Sequence, residues 1–173
     1  MTQITLEQFN HLSNEETKTK LMQCCTSSVW VDRMSDLRPF ISRQELNETA
    51  DKVWADLEEN DYLEAFDGHP KIGDVNSLRE KYANTKALAS NEQQSVNEAS
   101  EKVLLDLAKY NEEYLNKFGF IFIVFATGKS AAQMLDILLA RISNDRKTEL
   151  VNAAEEQRKI FQIRLTKLFG EAQ

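Results

Sequence analysis

Hydrophobic residues recur every three or four positions along most of this chain, which is the spacing of one face of an α-helix. Only five glycines and two prolines interrupt that spacing. Several runs begin after a serine that has Glu or Gln three positions later, the pattern of a helix capping box: Ser13, Ser42, Ser90 and Ser130. The pattern therefore predicts an all-α fold, a helical bundle.

The predicted helices each have one apolar face, as in the helix that follows Ser42, where the face consists of Leu46, Ala50, Val53, Trp54 and Leu57. The helix after Ser90 extends to about Phe118, and Gly119 fits its C-terminal cap. The last predicted helix runs from about Thr148 to Phe169. Residues 70–89 are the least periodic and predict a loop with a short helix. No repeat or linker divides the chain, so we expect a single domain over residues 1–173.

One segment departs from the helical pattern. Residues 120–125 are β-branched and aromatic and lie between Gly119 and Gly128, a composition typical of a strand. The sequence offers no second strand to pair with it, and a lone strand leaves backbone groups unsatisfied. We therefore predict a buried irregular segment near residues 120–127, whose free N–H and C=O groups are available to a ligand.

Composition narrows the possible functions. The net charge of −7 and the absence of a basic run argue against a nucleic-acid partner. The longest apolar stretch, residues 118–126, is about half of a membrane span, so no membrane partner is expected. Cys24 and Cys25 are adjacent in an expected helix, a spacing that fits neither a disulfide nor a zinc site. With no secretion signal evident at the N-terminus, we expect a cytoplasmic protein.

A loop punctuated by Gly and Pro contains His69, one of two histidines in the chain. Gly68 and Gly73 permit backbone angles that other residues avoid, and we expect Pro70 to keep His69 out of the helical region. Histidine titrates near neutral pH, so an imidazole held in one orientation is a candidate proton donor or acceptor. A structural role at a helix end is the alternative. The other histidine, His11, has no neighbours with metal-ligand spacing, and no metal site is predicted.

Arg164 is unusual because the stripe of the last helix on which we place it is otherwise mostly apolar: Ala153, Gln157, Ile160, Arg164 and Leu168. A buried arginine requires an anionic or polar partner. That partner is either a substrate or a carboxylate of the protein. Glu92 and Gln93 fall in the first turn of the long helix, where plain capping and a functional role both fit.

Four blocks in order make the chain resemble the 2-oxo-4-hydroxy-4-carboxy-5-ureidoimidazoline (OHCU) decarboxylases of uric acid breakdown. The blocks are HPKIG at residues 69–73, SNEQ at 90–93, NEEYLNKFGFIF at 111–122 and KIFQIRL at 159–165, and ATGKSAA at 126–132 is similar too. The resemblance covers nearly the whole chain. It implies an all-α bundle, a homodimer, a small-molecule ureidoimidazoline substrate and no cofactor.

The resemblance also implies roles for individual residues. His69 matches the catalytic proton donor, and Pro70 lies beside the substrate. Glu92 and Gln93 match the Glu-Gln pair that contacts the substrate, and we assign Glu92 to catalysis with His69. Arg164 matches an arginine that binds the substrate anion. Backbone contacts to the substrate ring are implied for five successive residues: Phe122, Ile123, Val124, Phe125 and Ala126.

The chain departs from the family pattern at one substrate-binding position. Many members have a serine three residues before the glutamate, and this chain has Ala89 there, with Ser90 one step later. Either Ser90 replaces that hydroxyl or the contact is lost.

The activity implied is the decarboxylation of OHCU to (S)-allantoin and CO₂. Two other hypotheses stay open on the sequence: a non-enzymatic helical interaction module, and a hydrolase of a related ureide that uses His69 to activate water.

Overall fold

The computed structural model describes residues 3–70, 75–82 and 93–170, with the side chains of residues 93–100 left out. Within these ranges all regular secondary structure is α-helical, which confirms the predicted fold class. The helices are α1 (Leu6–Asn10), α2 (Asn14–Met22), α3 (Ser28–Asp36), α4 (Arg43–Ala55), α5 (Glu59–Asp67), α6 (Val75–Tyr82), α7 (Gln93–Phe118), α8 (Ala131–Ile142) and α9 (Arg146–Phe169). None of these helices is both long enough and apolar enough to cross a membrane.

The chain divides into two compact units. Unit 1 comprises Met1–His69 and Asn152–Gln173, and unit 2 comprises Pro70–Val151. Helix α9 therefore belongs to unit 2 up to Val151 and to unit 1 from Asn152 onward. The single domain over residues 1–173 stays a prediction.

The core of unit 1 is built around aromatic rings. Helix α3 packs against α2, α4 and α5. The ring of Phe161 on α9 lies 5.1 Å from that of Trp30 and 5.7 Å from that of Trp54. Trp54 also donates from Nε1 to the main-chain oxygen of Ala154 at 2.9 Å. The face predicted after Ser42 is buried in this core, although only Leu46, Ala50, Val53 and Trp54 lie on α4 and Leu57 follows its end.

Helix starts follow the predicted serines wherever the structure describes them. Ser13 and Ser130 form complete capping boxes with Glu16 and Gln133. Ser42 accepts from the backbone N–H of Glu45, but the carboxylate of Glu45 accepts from Ile41 and not from Ser42. The prediction of a full box at Ser42 was therefore half wrong. Ser90 lies outside the described residues.

Two boundaries differ from the predictions. Cys24 and Cys25 follow the end of α2 and do not lie in a helix. The backbone N–H of Cys24 bonds to Leu21, three residues back, which is the tighter bond typical of the last turn of a helix. Both thiols are buried and free. Helix α9 starts two residues before Thr148, at Arg146, because the side chain of Asp145 accepts from the backbone N–H of Thr148 at 2.7 Å and caps it.

Unit 2 contains α6, α7 and α8, with α7 packed against both neighbours. Gly119 has φ +81° and ends α7 as predicted, since glycine adopts the left-handed region without strain. The chain then runs without helix or strand over residues 121–126, and Phe122, Ile123 and Val124 are buried. The predicted buried irregular segment is confirmed.

Candidate functional site

His69 is positioned by the end of helix α5. The backbone N–H of Gly68 donates to Ala65 at 3.2 Å, and that of His69 donates to Phe66 at 3.1 Å. Gly68 has φ −73°, an angle that any residue can adopt, so the conformational freedom of glycine is not used there. Glycine is needed at position 68 for space, because a Cβ atom would come within 2.6 Å of Cγ2 of Thr26. Gly73 lies outside the described residues.

The imidazole of His69 is half-buried and hydrogen-bonded to Gln157. Its Nε2 atom contacts Oε1 of Gln157, 88 residues further along the chain. Because an amide oxygen only accepts hydrogen bonds, Nε2 must carry the proton. Nδ1 forms no hydrogen bond with any residue that the structure describes. The neutral ring therefore has its free lone pair on Nδ1.

The surroundings of His69 favour the uncharged ring. Burial lowers its pKa below the ordinary value of about 6.5, the hydrogen bond to Gln157 acts in the opposite direction, and the positive charge of Arg164 lowers it further. His69 is therefore neutral at pH 7 and able to accept a proton before it donates one.

Arg164 lies beside the buried stripe of α9 and not on it, so the predicted stripe was wrong. The buried residues of the last turns are Ala153, Gln157, Phe161, Leu165 and Leu168. A helix has 3.6 residues per turn, and the stripe drifts onto Phe161 and Leu165, which leaves Ile160 and Arg164 half-buried at its edge.

The partner of Arg164 is a backbone carbonyl. Its Nη1 donates to the main-chain oxygen of Cys24 at 3.3 Å. No carboxylate pairs with Arg164 among the described residues. The sequence left two possible partners for Arg164, a substrate and a carboxylate of the protein. The described residues provide no such carboxylate.

The two cysteines near Arg164 do not supply a nucleophile. Burial raises the pKa of Cys24 and of Cys25 to about 12, although the charge of Arg164 opposes that rise. A thiol attacks as the thiolate, so these cysteines are inert at neutral pH. They contribute to the core of unit 1.

Three carbonyl groups of the irregular segment of unit 2 have hydrogen-bond donors. The main-chain oxygen of Ile123 accepts from Arg141 Nη1 at 2.7 Å, and that of Phe125 accepts from Lys129 Nζ at 2.6 Å. The oxygen of Ala126 accepts from the backbone N–H of Lys129 at 3.0 Å. The N–H groups of residues 121–126 make no hydrogen bond with the described part of the chain. No described residue bonds to the carbonyl oxygens of Phe122 and Val124 either, so the segment has both donors and acceptors that are not used within the described chain.

The other predicted site residues are only partly described. Pro70 is exposed and begins unit 2. Gln93 begins α7 but its side chain is not described, and Glu92, Ala89 and Ser90 lie outside the described residues. Of the predicted site, the structure places His69 and Arg164 in the same unit, unit 1, where the charge of Arg164 acts on the imidazole.

Gln157, which is hydrogen-bonded to His69, was not predicted as a site residue. A signal was present, since Gln157 is a polar residue on a buried helical stripe. Its partner His69 belongs to a different element, and helical spacing contains no information on contacts between distant elements.

The described residues thus form an all-α chain in which a histidine restrained by Gln157 lies under the influence of a cationic side chain. The OHCU decarboxylase family model matches residues 10–166. The chain belongs to the OHCU decarboxylase family, and the resemblance that its motifs predicted is confirmed.

Curated relatives agree with this family. The chain is 38% identical over 149 residues to the uric acid degradation bifunctional protein TTL of Arabidopsis thaliana, covering 86% of this chain and 46% of that protein. The chain thus spans less than half of that relative. It is 25% identical to the OHCU decarboxylase of Haloferax volcanii, covering 98% of this chain and 99% of that protein.

A solved structure is also similar. The crystal structure of an OHCU decarboxylase in the presence of (S)-allantoin has 35% sequence identity and a TM-score of 0.70. The match covers 92% of this chain and all of the other. This similarity confirms the fold.

Proposed function

We propose that this protein is a carboxy-lyase that decarboxylates OHCU to (S)-allantoin and CO₂ in uric acid degradation, without a cofactor. Membership of the family supports the reaction, as does the solved relative crystallised with (S)-allantoin. The observation that carries the proposal is the imidazole of His69, which is held by Gln157 and whose pKa is lowered by burial and by the charge of Arg164.

The substrate provides its own electron sink. The carbon that bears the carboxylate also bears a hydroxyl and neighbours a C=N bond. When CO₂ leaves, the electron pair of the broken bond forms a double bond between the two carbons and moves the C=N pair onto nitrogen. That nitrogen takes a proton from solvent, the adjacent carbon receives a second proton, and the hydroxyl loses its proton to become a carbonyl. Orientation and proton delivery are the tasks left to the protein.

His69 is our candidate for proton transfer. Its ring is neutral at neutral pH and held through Nε2, so Nδ1 accepts the hydroxyl proton and delivers a proton to one face of the adjacent carbon. Delivery to a single face yields a single enantiomer of allantoin. A positioned acid–base group of this kind contributes on the order of 10²-fold or more to the rate.

Arg164 is our candidate for binding the substrate carboxylate. It has a carbonyl partner but no carboxylate partner among the described residues, which leaves its charge uncompensated there. A guanidinium matches a carboxylate through two parallel donors. Such a contact fixes the scissile bond relative to His69.

The remaining roles rest on the family motifs. We propose that Glu92 positions the imidazole or takes the hydroxyl proton, and that Gln93 contacts the ring. Pro70 and Ser90 are proposed substrate contacts, whereas Ala89 lacks the family hydroxyl. The free N–H groups of the segment fit the carbonyl oxygens of the ring: Phe122, Ile123, Val124, Phe125 and Ala126.

The same resemblance supports proposals on assembly and location. We propose that the protein is a cytoplasmic homodimer and that it binds a small-molecule ureidoimidazoline substrate. The net charge of −7 supports the absence of a nucleic-acid partner.

The test uses purified protein and freshly generated OHCU, followed by circular dichroism of the allantoin formed. We expect faster CO₂ release and one enantiomer, whereas the uncatalysed reaction gives a racemate. Racemic allantoin at the uncatalysed rate would overturn the proposal and favour an interaction module. A hydrolytic product without CO₂ would favour the hydrolase.

A further inference from the structure

Gln157 is a buried polar residue whose hydrogen bonding is only half explained. Its side chain sits on helix α9 in the core of unit 1 and is 1% exposed. The amide oxygen Oε1 bonds to Nε2 of His69. The amide nitrogen has no hydrogen-bond partner among the described residues.

Burying an amide side chain costs free energy unless its polar atoms form hydrogen bonds. The stripe neighbours Ala153, Phe161 and Leu165 are apolar and fully buried, so leucine or methionine at position 157 would fit the packing without leaving a polar nitrogen unpaired. Packing therefore gives no reason for glutamine here. The bond to His69 does give one.

The chemistry of that bond determines which ring nitrogen reacts. A neutral imidazole has one N–H and one lone pair, and the partner of one nitrogen decides the state of the other. Gln157 Oε1 accepts from Nε2, and Nδ1 has no competing partner in the described chain. Because no other described residue bonds to the imidazole ring, the amide of Gln157 selects the tautomer.

We propose that Gln157 is a positioning residue that holds His69 in the Nε2–H tautomer and thereby makes Nδ1 the atom that exchanges protons with the substrate. The role of Nδ1 toward the substrate rests on the proposed function. The tautomer itself is a property of the free protein.

A neutral amide also suits the charge of the site better than a carboxylate. A glutamate at this position would stabilise the imidazolium and compete with the substrate for the charge of Arg164. Glutamine orients the ring equally well and adds no charge. The ring can then alternate between its neutral and protonated forms during a catalytic cycle.

The tautomer can be measured directly, because the chain has only two histidines. In ¹⁵N-labelled protein above the pKa of the ring, long-range ¹H–¹⁵N correlations distinguish Nε2–H from Nδ1–H. The variant His11→Asn assigns the two spectra. We expect His69 in the Nε2–H form. A wild-type His69 that carries its proton on Nδ1 would overturn the proposal without any variant.

Two substitutions test whether Gln157 determines the tautomer of His69. Gln157→Met keeps the length and removes the acceptor, so we expect mixed tautomers and a kcat at least tenfold lower, with KM changed less than threefold. Gln157→Glu keeps an acceptor, so it should retain the Nε2–H form, raise the pKa of His69 and shift the pH–rate profile to higher pH. A normal tautomer and normal kcat in Gln157→Met would refute the role of Gln157.

The outcome separates this inference from the proposed function. If the wild-type protein fails to decarboxylate OHCU, the proposed function fails while the spectra still decide the tautomer. If the wild type is active but its His69 is in the Nδ1–H form, the function stands and the inference fails.

Discussion

Glu149 and Arg141 form an ion pair inside unit 2, with Nε of Arg141 donating to Oε1 of Glu149 at 2.8 Å. Glu149 has no exposed surface. Its carboxylate also accepts from the hydroxyl of Tyr114 at 2.6 Å and from the amide of Asn144 at 2.9 Å. The same guanidinium donates to the main-chain oxygen of Ile123. This network therefore ties the irregular segment to helices α7, α8 and α9.

Removing the carboxylate of that pair should destabilise the protein strongly. Glu149→Ala leaves the buried charge of Arg141 without its anion, so we expect a loss of about 3–5 kcal/mol in the free energy of unfolding. Urea denaturation measures it. The control is Glu155→Ala, which removes a half-exposed partner of Arg158 and should cost no more than about 1 kcal/mol. Equal losses in the two variants would contradict the role of the network.

His69→Asn should abolish turnover without unfolding the protein. The side chain is half-buried at a helix end, and asparagine retains a polar group there. We expect unchanged helical circular dichroism and OHCU decay at the uncatalysed rate. His11→Asn is the matched control, because the ring of His11 bonds to the main-chain oxygen of Glu7 at the surface. Full activity in His69→Asn would remove the imidazole from the mechanism.

Arg164→Met should reduce activity far more than stability. The variant loses one hydrogen bond to the Cys24 carbonyl, worth no more than about 1.5–3 kcal/mol for a charged donor. Turnover should fall by orders of magnitude, since the proposed carboxylate contact is lost. The NMR-measured pKa of His69 should rise, because the nearby positive charge is gone. A large drop in melting temperature with unchanged kcat would make Arg164 structural.

The folded protein should lose stability on acidification partly through His69. Its pKa is lowered in the folded state, so the unfolded chain binds more protons between that value and about 6.5. The contribution of His69 is therefore present above about pH 6.5 and is lost as the pH falls through the folded-state pKa.

His69→Asn removes this contribution, and urea denaturation from pH 7.5 to pH 5 can show the effect. We expect the free energy of unfolding to fall further for the wild type than for the variant. Identical pH dependence of the two proteins would show that the pKa of His69 is not lowered.

Gly68→Ala should strain the turn that presents His69. The added Cβ would meet Thr26, whose hydroxyl donates to the main-chain oxygens of Glu64 and Ala65. Such overpacking costs about 1–3 kcal/mol. In a double-mutant cycle, Thr26→Gly should remove most of that cost, because it clears the space. If the stability losses of the two single variants simply add in the double variant, the strain does not arise from the contact with Thr26.

Local rules explain which parts of the fold were predictable. A capping serine and its partner are three residues apart, so Ser13 and Ser130 could be assigned from spacing alone. The irregular segment was predictable from its composition and from Gly119. The stripe of α9 was misplaced at Arg164, because the apolar pattern there is weak and small errors of phase accumulate along a long helix.

The sequence by itself determined the helical class, the helix starts after Ser13, Ser42 and Ser130, and the family, since capping and apolar spacing act within a few residues and motifs are read in order. Only the tertiary structure decided the partners of the polar side chains. Gln157 and His69 are 88 residues apart, and Arg164 and Cys24 are 140 residues apart. Contacts over such distances depend on how helices pack in three dimensions, so no local pattern specifies the tautomer of His69 or the carbonyl that receives Arg164.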